Sequence, residues 1–380
     1  MARGGSSRCD DVVAVIDLGS ACMRGALARW RDAGQPEVLA LARCPSRGIE
    51  AGELIAPAAA MSRVQALMDD LILQAGAPPR QAIFTYGGAG LASLRLIGRV
   101  RVGGTVRDSH MRAATAAVRR SRLPDGYSLL HAPVLGYAID DVGGAQDPRG
   151  LRADTLAVLV HGVAAPLRVQ RDLTDLAGAA GLRLAAVIAQ PVAAAEVLVG
   201  PDARREGVLL VECGAGVTRA AVVLEAGVAH VACVPVGGAN VTADLAAGLG
   251  LDLPGAEAWK RHASPYAAAI RTIACPRVEE TFKRLREALA ASDAQRLGAR
   301  RVVLTGEAAR LPGLRDVAEA VFTLPVQAAG EEAGDAVMLG ALHFLEPIAG
   351  AAATPGPSGA WPARLWPDGR RLVGRGRMSA

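Results

Sequence analysis

The sequence predicts an α/β fold in which two related lobes face one nucleotide. Two short turns are the main indication: Asp17-Leu18-Gly19-Ser20 follows the apolar run 12–16, and the segment 212–218 follows the apolar run 207–211. Each turn pairs an acidic residue with glycine directly after a buried strand. Glycine allows the backbone to approach a phosphate, backbone amides bind its oxygens, and a carboxylate can hold hydrated Mg²⁺. The repeated pattern therefore indicates two copies of one strand–turn unit.

Length and composition narrow the class of protein. The 380 residues allow two or three domains with a sizeable core. No apolar stretch reaches the ~18–20 residues of a transmembrane helix, and no signal peptide is visible at the N-terminus. The six cysteines show no C-x-x-C spacing, which argues against a zinc site or a disulfide framework. We expect a cytoplasmic protein.

The basic charge carries little information about partners. The net charge is +5, with 42 basic residues, of which only Lys260 and Lys283 are lysine. Such a bias towards arginine and alanine is typical of codon composition, so a basic chain alone does not indicate recognition. We expect no nucleic-acid partner.

The first half of the chain reads as a lobe with an insertion. Residues 11–30 predict a strand, a glycine turn and a second strand, and apolar residues at helical spacing predict a helix over about 58–75. Further elements are then expected in order: strands at 82–85, 94–97 and 100–102, a helix from Asp108 or Ser109 to about 120, strands within 128–140 and at 156–160, a helix at 167–180, a strand at 184–188 and a helix after Pro191.

The second half begins a new lobe at Gly207. Strands at 218–224 and 228–234 form a hairpin, and Asn240 is a plausible N-cap for a helix starting near Val241. A helix is expected after Pro276, with Glu279/Lys283 and Glu280/Arg284 as i,i+4 pairs, followed by a strand at 301–304. The domain boundaries follow: first lobe 11–84 and 164–200, insertion 85–163, second lobe 201–349 with a small subdomain at 242–300, and a linker with a basic tail at 350–380.

The candidate ligand-binding residues fall into three groups. Those of the two phosphate turns are Asp17, Gly19, Ser20, Glu212, Gly214, Gly216 and Thr218. Asp17 and Glu212 are the candidates for holding a metal through water. A third turn at Gly306 follows a strand and suits an adenosine, and Glu257 and Lys260 lie three residues apart on one helix face, able to meet a ribose or base.

Four further segments give the chain a resemblance to a known family. Residues 139–151 resemble the pattern VDxxxGIxxPxGM, 234–246 resemble PxGGxxxTxDIA, 256–260 resemble AExIK and 276–280 resemble xRxxEI. With the phosphate turns, and in this order from about 11 to 346, they resemble FtsA, the bacterial cell-division member of the actin-like ATPase superfamily. The position of the insertion is also typical of FtsA.

The resemblance implies a fold and a set of partners. The fold is the actin-like one, two duplicated ribonuclease H-like domains, with an inserted α+β subdomain in the first lobe and a shortened small subdomain in the second. A protein of this kind binds ATP and Mg²⁺ between the lobes, self-associates, and tethers FtsZ filaments to the cytoplasmic face of the inner membrane at the division site, together with other divisome proteins.

Several positions depart from the family pattern. Glu212 and Val217 replace the usual Asp and Thr of the second phosphate turn, and Arg219 stands where a last acid is usual. Valine cannot donate a hydrogen bond, and an arginine favours phosphate anions while disfavouring Mg²⁺. In the third turn Glu307 replaces a second glycine. These departures predict nucleotide binding with at most weak hydrolysis.

Two questions stay open at this level. The tail 361–380 carries five arginines, one acid and several apolar residues, as a membrane anchor would, yet its prolines and glycines interrupt a long helix. The alternatives to a division scaffold are an actin-like pilus-assembly protein of the PilM kind, a chaperone-like ATP-binding protein, or a small-molecule kinase of the same superfamily.

Overall fold

A computed structural model describes residues 12–29, 36–118, 120–262, 264–290, 298–330 and 334–345. The first lobe opens with β1 (Val12–Leu18), β2 (Cys22–Arg29), β3 (Glu37–Pro45), β4 (Ile49–Glu50), β5 (Glu53–Leu54), α1 (Pro57–Ala75) and β6 (Gln81–Tyr86). The insertion contains β7 (Ala92–Thr105), α2 (Asp108–Val118), β8 (Tyr127–His131), β9 (Val134–Ile139), β10 (Val142–Ala145) and β11 (Arg152–Pro166). The first lobe then resumes with α3 (Leu167–Ala179), β12 (Arg183–Ala189) and α4 (Gln190–Leu198).

The second lobe follows the short helix α5 (Pro201–Glu206). Its elements are β13 (Val208–Cys213), β14 (Thr218–Leu224), β15 (Gly227–Val234), α6 (Gly238–Leu249), α7 (Leu253–Arg261), α8 (Ala267–Ala290), β16 (Arg301–Thr305), α9 (Leu314–Phe322), β17 (Val326–Ala328) and α10 (Ala336–Leu342).

The two central sheets repeat one topology. The first has the order β3-β2-β1-β6-β12 and the second the order β15-β14-β13-β16-β17. In each, the opening strand pairs antiparallel with the next strand of the chain and parallel with a later one, β6 or β16. The duplication predicted from the two turns is therefore present in the backbone, and the fold is the predicted two-lobed actin-like one.

The insertion is a β-sheet with one helix packed on it. Its sheet has the order β10-β9-β11-β7, with β8 also paired to β11. On one face Leu96, Leu156 and Val158 pack with Ala114 and Val118 of α2. A 14-residue β7 runs without a break where two strands were expected, because it pairs with the long β11 along its whole length. The prediction of separate strands at 94–97 and 100–102 was wrong.

The insertion is joined to the second lobe by a buried polar cluster. The hydroxyl of Ser93 on β7 lies 2.8 Å from Nε2 of His161 on β11 and 2.9 Å from Nδ1 of His230 on β15. The same oxygen accepts a hydrogen bond from the backbone N–H of Val231 at 3.1 Å. Both histidines are buried, and burial lowers the pKa of His161 to about 3 and that of His230 to about 4.

Two helices connect the lobes themselves. α4 and α10 pack against one another, and their buried side chains form a single core with residues of both central sheets. Gly340 is needed for this contact, because a Cβ there would lie 1.8 Å from the carbonyl oxygen of Ala193 on α4. Helix α10 thus fixes the second lobe on the first.

Two helix starts differ from the expectation. α8 begins at Ala267 and passes through Pro276, which removes one backbone hydrogen bond, yet Ile270, Ala274 and Val278 are buried on one face and hold both halves in line. α6 begins at Gly238, so Asn240 is not its N-cap; it lies at the third position, where its Oδ1 accepts a hydrogen bond from the N–H of Gly237 at 2.9 Å. Both predicted starts were wrong.

The i,i+4 pairs Glu279/Lys283 and Glu280/Arg284 of α8 are present as predicted. Among the residues described, no helix is both long and apolar enough to span a bilayer. The C-terminal tail expected to meet a membrane lies outside the described residues.

Candidate nucleotide cleft

The first phosphate turn presents a buried carboxylate at the edge of a parallel sheet. Asp17 lies at the end of β1, and its Oδ1 accepts hydrogen bonds from Thr85 Oγ1 at 2.5 Å and from Gln190 Nε2 at 2.8 Å. Thr85 and Gln190 lie near the ends of β6 and β12, and the carboxyl ends of parallel strands meet at one edge of a sheet. This geometry orients Asp17 into the space between the lobes.

A guanidinium flanks Asp17. Arg24 lies opposite it in the register of β1 and β2, with Nη1 3.9 Å from Asp17 Oδ2. The same side chain reaches the second lobe, where Nε lies 3.5 Å from Asp335 Oδ1 and Nη2 lies 3.9 Å from Glu307 Oε1. Arg24 therefore bridges the two lobes at the mouth of the cleft.

The second phosphate turn has the same arrangement with a shorter ion pair. Glu212 on β13 faces Arg219 on β14, with Nη1 3.3 Å from Glu212 Oε1. Arg219 also crosses to the first lobe, where its Nε donates to the carbonyl of Gly87 at 2.6 Å. Burial raises the pKa of the Glu212 carboxyl, and the nearby guanidinium opposes that rise.

The two turns lie directly against each other. A Cβ added to Gly216 would lie 2.6 Å from Ser20 Oγ and 3.0 Å from the backbone of Ala51. Ser20 Oγ accepts a hydrogen bond from the N–H of Gly52, which holds the β4–β5 turn beside both. Gly19 is required for the turn itself, because a Cβ there would lie 2.5 Å from the carbonyl oxygen of Cys22.

Three glycines of the second lobe form an open cradle beside the second phosphate turn. A Cβ added to Gly238 would lie 3.4 Å from Lys260 Nζ and 3.7 Å from the carbonyl oxygen of Gly214. Gly306 has a φ of +90° and approaches the carbonyl oxygen of Cys213 so closely that a Cβ would lie 2.4 Å from it. The turns at Gly214, Gly238 and Gly306 therefore converge, and the roles predicted for Gly214 and Gly306 towards a ligand stay predictions.

Glu257 and Lys260 meet within this cradle. Lys260 Nζ lies 2.6 Å from Glu257 Oε2 and donates to Thr242 Oγ1 at 2.7 Å and to the carbonyl of Gly238 at 2.9 Å. Burial raises the pKa of Glu257, but hydrogen bonds from Lys260, Thr242 and Arg261 outweigh it, so the pKa is lowered. Both side chains are thus fixed as charged groups at the edge of the cradle.

Thr218 differs from the other candidates. Its hydroxyl donates to the carbonyl of Val236 at 2.8 Å, and the residue is buried. The hydroxyl therefore ties β14 to the segment before α6. Its predicted role towards a ligand stays a prediction.

The donor set fits a nucleotide better than a divalent metal. Two buried oxygens, Glu212 Oε2 and Thr305 Oγ1, have no hydrogen-bond partner among the residues described, which leaves acceptors for a bound molecule or its water. Each acidic residue expected to hold the metal, however, faces an arginine, and no group of three or more His, Cys, Asp or Glu in the described ranges is arranged to hold a metal ion. The predicted metal role of Asp17 and Glu212 stays a prediction, with the local charge against it.

Sequence reasoning missed four residues that shape this site: Arg24, Thr85, Gly87 and Gln190. Thr85 and Gln190 carried a usable signal, since each is a polar residue at the end of an apolar strand. Arg24 and Gly87 carried none, because Arg24 is one of many arginines and the role of Gly87 depends on its contact with Arg219 of the other lobe.

Comparison with known proteins identifies the relatives of the chain. Residues 209–341 match the family model described as cell division protein FtsA, and residues 88–164 match that of the SHS2 domain inserted in FtsA. Together they cover more than half of the chain. The FtsA of Pseudomonas aeruginosa is 25% identical over 342 residues, covering 82% of this chain and 81% of that protein. The FtsA of Neisseria meningitidis is 23% identical over 350 residues, covering 83% of each.

Solved structures show the fold alone. The PilM–PilN type IV pilus biogenesis complex contains a chain with a TM-score of 0.63 and 19% identity, covering 88% of this chain and 99% of that one. MreB 5 of Spiroplasma citri bound to AMPPNP has a TM-score of 0.53 and 12% identity, covering 89% and 97%. Both have the actin-like ATPase fold.

Proposed function

Because this chain belongs to the family of FtsA cell-division proteins, we propose that it is a division scaffold that binds ATP between its lobes, self-associates and tethers FtsZ filaments to the cytoplasmic face of the inner membrane. The observation that carries the nucleotide part is the convergence of glycines at 214, 238 and 306 beside Lys260. Without side chains at these three positions there is room for a ribose, and the fixed ammonium of Lys260 at the edge suits an anionic phosphate chain.

The residues assigned to the ligand keep their sequence-based roles in this proposal. Backbone amides of Gly19 and Gly216 and the hydroxyl of Ser20 face the phosphates, while Glu257, Lys260 and Gly306 face the adenosine. Gly214 shapes the second turn, where its N–H donates to the carbonyl of Val217. Asp17 is held by Thr85 and Gln190, so it is pre-organised to order water beside the phosphates. No residue is assigned to bond cleavage, and a bound nucleotide here serves mainly to hold the lobes together.

The proposed tethering of FtsZ to the membrane rests on the family of the chain and on the composition of its tail. The proposed partners are FtsZ, other divisome proteins and further copies of this chain, because the FtsA family models match the insertion and the second lobe. The tail 361–380, with five arginines and one acid, is the proposed contact with anionic headgroups. A pilus role is not favoured, because the likeness to PilM is one of fold.

Co-sedimentation tests the scaffold. The full chain should pellet with FtsZ filaments of the same organism, and with vesicles containing anionic lipid. A chain ending at residue 349 should keep the first property and lose the second. Failure of the full chain to pellet with FtsZ would contradict the tethering role, and vesicle binding by the shortened chain would contradict the role of the tail.

A further inference from the structure

A buried arginine lies between the two lobes at the phosphate turns. The side chain of Arg219 is 5% exposed, although it starts on an inner strand of the second lobe and ends on the first. Its two contacts, with Glu212 and with the carbonyl of Gly87, come from different lobes. A guanidinium in this position holds the cleft together through hydrogen bonds as well as charge.

Both lobes are shaped around this guanidinium. A Cβ added to Gly87 would lie 2.2 Å from Arg219 Nε, and one added to Gly214 would lie 3.3 Å from its Nη1. Glycine on each side therefore provides the space that the side chain fills. Because glycines of both lobes make room for it, the buried position of Arg219 is a feature of the fold.

Each acidic residue of the two phosphate turns faces an arginine, and Arg24 also faces Asp335 and Glu307. Asp17 and Glu212 carry one negative charge each when ionised, and Arg24 and Arg219 carry one positive charge each. Burial raises the pKa of the Glu212 carboxyl, and the guanidiniums of Arg219 and Arg24 both oppose that rise. A divalent cation held by Glu212 would lie close to the buried guanidinium of Arg219, and two positive charges that close repel each other strongly where little water screens them.

We infer that the guanidinium of Arg219 takes the place of a divalent cation in this cleft, so that nucleotide binding does not depend on Mg²⁺. The inference rests on the proposed binding of nucleotide. Arg219 supplies a fixed positive charge beside the phosphate turns, and guanidinium N–H groups match phosphate oxygens in geometry. The acidic residues then serve to orient Arg24 and Arg219.

Calorimetric titration of ATP into the full chain tests this, once in excess EDTA and once in excess MgCl₂. Wild type should give dissociation constants that agree within about threefold, a difference of less than ~1 kcal/mol. Arg219→Asp, which restores the acid usual at this position, should bind at least about tenfold more tightly with Mg²⁺ than with EDTA. Arg219→Gln should lose about tenfold in EDTA, because it removes the charge.

Arg315→Gln is the matched control, because Arg315 is exposed and pairs with Glu319 on its own helix, α9. It should bind ATP as wild type does. Thermal unfolding checks that each variant is folded. The comparison of wild-type affinity in EDTA and in MgCl₂ tests the inference even if a variant does not fold. Wild type that binds ATP only with Mg²⁺ would overturn the inference, as would Arg219→Gln with unchanged affinity in EDTA. No binding in either buffer would instead overturn the nucleotide proposal itself.

Discussion

Two adjacent glycines at the start of α6 should respond in opposite ways to the same substitution. Gly237 and Gly238 both border the second phosphate turn, but only Gly237 is enclosed by backbone. A Cβ there would lie 2.5 Å from the carbonyl oxygen of Gly214 and 2.6 Å from that of Ala215. Its φ of −155° is accessible to any residue, so the cost of Gly237→Ala is steric alone.

The magnitude follows from what must move. Overpacking of this kind costs about 1–3 kcal/mol. The shifted turn also strains the hydrogen bonds from Gly238 N–H to Gly214 and from Ala239 N–H to Ala215, worth about 1 kcal/mol each. A total near 3 kcal/mol lowers the melting temperature of a chain this long by about 4 °C, since the unfolding entropy is about 2 cal/mol/K per residue.

Gly238→Ala should leave the fold intact and disturb binding. Its Cβ would lie 3.4 Å from Lys260 Nζ and 3.5 Å from the Cβ of Ala308, both ordinary contacts. Alanine in a helix stabilises it by up to about 1 kcal/mol relative to glycine. The methyl group stands in the adenosine cradle, however, so ATP affinity should fall by about tenfold, or ~1.4 kcal/mol.

Thermal unfolding of both variants tests the steric cost at Gly237, and an ATP titration of Gly238→Ala tests the proposed position of the adenosine. A melting temperature that falls equally in the two variants would refute the steric reasoning. Wild-type ATP affinity in a folded Gly238→Ala protein would refute the placement of the adenosine.

Three more outcomes are expected. Ser93→Ala removes the acceptor of the Val231 N–H and should lower the free energy of unfolding by about 2–3 kcal/mol. The control Ser109→Ala, at an exposed site on α2, should change it by less than about 0.5 kcal/mol. Equal effects of the two variants in urea unfolding would contradict the stabilising role of the Ser93 cluster. Burial lowers the pKa of His161 to about 3 and that of His230 to about 4, from an ordinary 6.5. Below about pH 6.5 the unfolded chain therefore binds protons that the folded chain does not, so stability falls as the pH drops towards about 4, and a stability that is flat over this range would contradict the prediction. Asp17→Ala should weaken ATP binding by about tenfold or more in a calorimetric titration, and unchanged affinity would refute the role of that turn.

Periodicity and turn chemistry were enough to predict most elements of the fold. The strand–turn–strand unit at 11–30, the helix at 58–75 and the hairpin at 218–234 are local patterns, and the structure has each. The errors arose where distant contacts outweigh a local signal. β7 is one strand because β11 pairs along it, and α8 continues through Pro276 because its buried face is continuous on both sides.

The sequence by itself determined that the chain contains two strand–turn units of one kind, since small apolar strands ending in an acid and a glycine are a local property of the chain. It also determined that Arg219 stands where an acid is usual. Only the tertiary structure decided what that arginine does. Its contact with Gly87 joins residues 132 positions apart in the chain, and the pairing of charges in the cleft depends on distances that no local pattern contains.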